Sequence, residues 1–69
     1  MDKKEKIIKL TEELEKLKEK YQHMLTEYSA TREGSAYGVE YYEIQLRVLT
    51  TMIQEVKTEI SNLRKIPDN

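Results

Sequence analysis

The residues in this chain with the most chemical potential are its five tyrosines, Tyr21, Tyr28, Tyr37, Tyr41 and Tyr42, in a sequence without Phe or Trp. A phenol joins a large apolar body to a polar tip, which suits interfaces and stacking platforms. Arg32 and Arg47 stand near the last four in sequence, as do Glu33, Glu40 and Glu43. Rings beside a guanidinium can stack a nucleobase and pair a phosphate. The same rings also fill a helical core when they fall on heptad positions, as Tyr21, Tyr28 and Tyr42 do. Tyr37 and Tyr41 are harder to bury within one pair of helices and are expected at an oligomer interface or a binding surface. Tyr28, Arg32, Tyr37, Tyr41 and Arg47 are therefore the candidate contacts to a partner protein or to a nucleotide-like ligand.

Other side chains point to less. His23 has Glu19 one helical turn before it, which makes half a metal site, and no second cluster completes it. A solvated Glu–His pair is the expectation, and no metal. Glu12-Glu13 and Glu40/Glu43 are paired carboxylates, but the Glu-x-x-His motif of di-metal bundles is missing. Glutamates so placed are expected to form weak surface pairs, Glu12 with Lys16 and Glu15 with Lys18. Gly34-x-x-x-Gly38 lacks the Lys that follows in a phosphate-binding loop. No residue set of catalytic spacing emerges, so the chain is expected to be non-enzymatic and free of cofactors.

The elements that must position these residues are two helices. Ile7, Leu10, Leu14, Leu17, Tyr21, Met24 and Tyr28 alternate spacings of three and four, with charge between them. Tyr42, Leu46, Leu49, Ile53, Val56, Ile60 and Leu63 repeat the pattern. Both read as amphipathic helices with a heptad seam. Between them lies Glu33-Gly34-Ser35-Ala36-Tyr37-Gly38. Gly34 suits the left-handed residue beyond a helix C-terminus, and Ser35 can cap the next helix. Gly38 is unfavourable in a first helical turn by up to about 1 kcal/mol relative to Ala. Pro67 is expected to end the second helix. The spacing predicts helix 1 over about 3–32, a turn over about 33–38 and helix 2 over about 39–66, in a single domain covering 1–69. A short connection between helices of equal length makes them antiparallel neighbours. One straight helix in a parallel coiled coil is the rival arrangement, disfavoured by the two glycines around Ser35. The fold class is thus all-α, an antiparallel helical hairpin that self-associates into a bundle.

Self-association follows from size and from surplus apolar surface. A chain of 69 residues with no cysteine and one histidine has neither a disulfide framework nor a ready zinc site to support a small core. Leu25 and Ile8 lie off the first seam, and Tyr41, Ile44, Val48 and Met52 widen the apolar face of the second. A wide face serves two neighbours. Leu25, Val48 and Met52 are accordingly assigned to an oligomer interface, with a dimer as the first expectation. Thr50, Thr51, Gln54, Thr58 and Ser61 add an outer surface of little charge, which is easier to desolvate than the Lys/Glu surface of helix 1.

The 12 Lys and Arg nearly balance the 13 Asp and Glu, for a net charge of −1. That balance gives no overall attraction to nucleic acid or anionic lipid. The basic start, Lys3, Lys4, Lys6 and Lys9, is diluted by Asp2 and Glu5 and reads as a frayed, solvated end. The longest uncharged run, 48–54, is far short of the roughly 20 apolar residues that cross a bilayer. No leader-like apolar core follows the N-terminus, so a cytoplasmic location without membrane contact is expected.

Two resemblances touch this pattern. The outline resembles the plasmid-encoded RNA-binding helical hairpins, with no shared residue motif. Thr11-Glu12-Glu13-Leu14-Glu15 resembles the Ser-x-Glu-Leu-Asp stretch of the small helical-hairpin aspartyl-phosphate phosphatases. That family carries the motif on its second helix with an Asp, whereas here Glu15 stands at that position on the first. The departure leaves no phosphatase role for these residues to inherit.

Overall fold

The computed structural model describes residues 2–34 and 37–66, with the side chains of 31–34 and 37 excepted. Two helices make up the fold: α1, Lys3–Gly34, and α2, Tyr37–Lys65. They pack antiparallel along their length as an all-α helical hairpin.

Asp2 starts α1. Its Oδ1 accepts a hydrogen bond from the Glu5 backbone N–H at 2.8 Å, and its carbonyl accepts the Lys6 N–H at 3.1 Å. An N-cap carboxylate so placed satisfies a first-turn donor and opposes the positive end of the helix dipole. The basic start is therefore capped helix and not a frayed end. Lys3 closes the open end of the hairpin by donating from Nζ to the Ile66 carbonyl at the far end of α2. An ammonium is well matched to the carbonyls left over beyond a helix C-terminus. Arg64 and Lys65 occupy the last turn of α2 for the same reason.

The connection differs from the sequence expectation. α1 continues through Gly34, and among the described residues no glycine has positive φ. Gly34 is the last helical residue and not a left-handed stop beyond the helix. α2 starts at Tyr37, so Gly38 lies inside its first turn. The helices thus meet across residues 35 and 36, closer than the expected turn over 33–38. The proposed cap at Ser35 and the stop at Pro67 lie outside the described residues.

Both seams face inward. Leu14 and Leu17 of α1 meet Leu49, Val56 and Ile60 of α2, each 6–9% exposed, and Ile7, Leu10, Tyr21, Met24 and Ile53 pack against them. The most buried positions lie away from the connection. Towards it the seam is carried by Tyr28 and Tyr42, which are half-buried.

The hairpin is long and thin, 56 × 14 × 14 Å. Its 5592 Å² of accessible surface is about 1,000 Å² more than the ~4,500 Å² that mass scaling gives a compact monomer of 8.2 kDa. The excess follows from the elongated shape, since two helices offer each other only one stripe apiece.

Candidate interaction surface

Four of the six exposed large apolar side chains among the described residues lie on α2. Tyr41, Ile44, Val48 and Met52 are 41–56% exposed. Spacings of three, four and four place them in one row, roughly a quarter-turn around the helix from the seam. Arg47 is exposed beside the row and lines a shallow groove with Val48, Thr51, Met52 and Glu55. A second open groove runs along α2 between Thr50, Thr51, Gln54, Glu55, Thr58, Glu59 and Asn62. The two share Thr51 and Glu55, so the apolar row and the weakly charged face form one continuous surface.

That surface is less polar than its residue names imply. Thr50 donates its hydroxyl to the Leu46 carbonyl at 2.8 Å, and Thr51 donates to the Arg47 carbonyl at 3.1 Å. Each hydroxyl is folded back on its own helix one turn earlier. Covering these side chains therefore breaks no donor bond to water.

The tyrosines divide between two roles. The Tyr28 hydroxyl donates to Glu43 Oε1 at 3.0 Å across the helix pair, so Tyr28 links the two helices. The Tyr41 and Tyr42 rings meet edge to face, centroids 5.3 Å apart and planes at 74°. Tyr42 leans to the seam, while Tyr41 stays in the exposed row. A base would find the edge of one ring there, not two parallel faces. The side chains of Arg32 and Tyr37, the other two expected contacts, lie outside the described residues. Of the expected interface residues, Val48 and Met52 belong to the exposed row, whereas Leu25, on α1, is half-buried and apart from it. Ile44, which the sequence reading left off this flank, stands in the row between Tyr41 and Val48.

His23 pairs with Glu27, Nε2 to Oε1 at 3.0 Å, and not with Glu19 as the sequence suggested. Both partners lie one turn from His23, and the choice between them is one of rotamer, which spacing does not settle. Glu15 makes an exposed pair with Lys18 at 3.8 Å. Among the described residues no group of three or more His, Asp or Glu is placed to hold a metal ion. Sequence reading passed over one further feature: a groove between the helices near the open end, lined by Thr11, Lys57, Ser61, Arg64 and Lys65 above Leu14 and Ile60. Antiparallel pairing brings Thr11 opposite Lys57 and Arg64, so the two seams, once aligned, were the signal for it.

The fold defines an all-α helical hairpin with one helix markedly less charged on its outer side than the other. No family model, curated protein or solved structure matches the chain. No helix among the described residues is long and apolar enough to cross a membrane.

Proposed function

We propose that this chain is a small non-enzymatic interaction protein whose hairpins self-associate, first as a dimer, into a helical bundle. The bundle occupies a partner protein with its Tyr-rich closed end and the adjoining start of α2. It is a regulator or inhibitor of the kind that phages and mobile elements carry. The observation that supports this reading is the exposed row Tyr41, Ile44, Val48 and Met52 on one helix of a thin hairpin. Apolar patches of this extent on small proteins mark contact surfaces.

Native mass spectrometry over a concentration series tests it. The expected result is a discrete oligomer, dimer first, at the mass of the protein alone. A monomer at every concentration overturns self-association. An oligomer carrying a reproducible small added mass replaces the protein partner with a nucleotide-like ligand. Open-ended growth with concentration replaces it with a scaffolding role.

A further inference from the structure

We propose that the exposed row of α2 is covered by the same row of a second copy, with the two α2 helices antiparallel about a two-fold axis and each α1 flanking its own α2 a quarter-turn from the contact. This rests on the self-association reading above and specifies its geometry.

Area, polarity and spacing each point to this occupant. A standard stable interface takes about 800 Å² from each partner, and a hairpin 56 Å long and 14 Å wide has a side of about that size. A monomer otherwise leaves four large apolar side chains of one row in water. The outward side of α1 is studded with exposed Lys and Glu, from Lys4 to Glu19, and is costly to desolvate. The outward side of α2 presents Thr50, Thr51, Gln54 and Thr58, two of whose hydroxyls are already bonded to backbone carbonyls. Of the two helices, α2 is the one suited to the contact.

The spacing of the row permits an antiparallel pairing, and the charges beyond it set the direction. Run antiparallel, Tyr41 falls opposite Met52 of the second copy and Ile44 opposite its Val48, so the row is close to self-complementary. A two-fold interface is self-complementary in either direction, and the charges beyond the row distinguish the two. Beyond Met52 the row continues into Glu55 and Glu59, both exposed. Parallel helices would set each of these carboxylates against its own copy, a repulsive arrangement at close range. Antiparallel helices carry them past the apolar row in opposite directions. The two helix dipoles also oppose each other in this arrangement.

Distance between spin labels decides the direction, and sedimentation of the same labelled protein decides the association. The chain has no native cysteine, so Glu59→Cys and Asn62→Cys each carry one nitroxide. At about 1.5 Å of rise per residue, antiparallel helices centred on the row put the Glu59 labels roughly 35–45 Å apart and the Asn62 labels farther still. Parallel helices put both pairs within roughly 20 Å, with no increase from one site to the next. A dimer with the long, increasing distances is the expected result. A dimer with short distances overturns the antiparallel arrangement and leaves self-association standing. A monomer by sedimentation, with helicity retained, overturns both and assigns the row to a different protein.

Discussion

The Tyr28 hydroxyl donates to Glu43 Oε1 at 3.0 Å, joining the last quarter of α1 to the first quarter of α2. Lys3 makes the matching connection at the other end by donating to the Ile66 carbonyl. A polar contact thus ties the two helices near each end of a seam whose middle is apolar. Apolar seams tolerate sliding by a heptad, whereas a directional bond near each end does not, so these contacts help define the register.

Removal of the Tyr28 contact should loosen the closed end without unfolding the protein. Tyr28→Phe is expected to lower stability by less than about 1 kcal/mol, because the bond is exposed to solvent and its charge is screened. A double-mutant cycle with Glu43→Gln in urea denaturation should return a positive coupling of that order. Zero coupling would show that the bond does not persist in solution.

Core truncation should be far more damaging. Leu17 and Leu49 lie within the buried cluster, one on each helix. Leu17→Ala or Leu49→Ala should cost about 2–4 kcal/mol. A domain of this size has only about 5 kcal/mol to lose. Far-ultraviolet circular dichroism at 37 °C should show partial or complete loss of helix, and retention of the full thermal midpoint would contradict the packing described.

Charge placed in the α2 row should separate association from folding. Val48→Asp is expected to shift the sedimenting species to monomer while helicity at saturating dimer concentration stays close to that of the parent. Ile8 supplies the control, since it is equally exposed but lies on α1 away from the row. Ile8→Asp should leave the association state unchanged, and equal effects from both would remove the special status of α2.

The N-cap can be tested independently. Asp2→Ala should destabilise the first turn by about 1 kcal/mol, whereas Asp2→Asn should lose only a fraction of that. Amide hydrogen exchange at Glu5 and Lys6 reports it directly, since those two N–H groups bond to Asp2. Unchanged protection in Asp2→Ala would assign the start of α1 to the Lys3 contact instead.

Gly38 offers a case in which the wild-type residue is not the most stable one. It lies in the first turn of α2 without positive φ, so Gly38→Ala should stabilise the helix by up to about 1 kcal/mol. A rise in thermal midpoint with an unchanged association state is expected. A fall would show that a neighbouring backbone or a second copy needs the space a methyl group fills.

Much of the fold was legible in the chain because helical period and burial are local properties. Leu10, Leu14 and Leu17 repeat at the helical interval with Glu and Lys between them, and no other element hides that stripe alone. Asp2 followed by Glu5 is itself an N-cap pattern that the sequence displays, masked by the surrounding lysines. The exposed row was legible too, since Tyr41, Ile44, Val48 and Met52 are more apolar side chains than one seam can absorb.

What the sequence by itself determined is therefore which residues face inward, that the helices are two, and that α2 has apolar surface to spare. The tertiary structure alone decided where each polar side chain goes: Tyr28 to Glu43, His23 to Glu27 and not to Glu19, Thr50 and Thr51 back onto their own helix. It also carried α1 through Gly34, since one glycine loses about 1 kcal/mol in a helix and the packing of a whole hairpin outweighs it. Hydrophobic burial follows periodicity because it is non-directional and summed over many residues. A hydrogen bond depends on the rotamers of two particular groups, and those exist only once the helices have met.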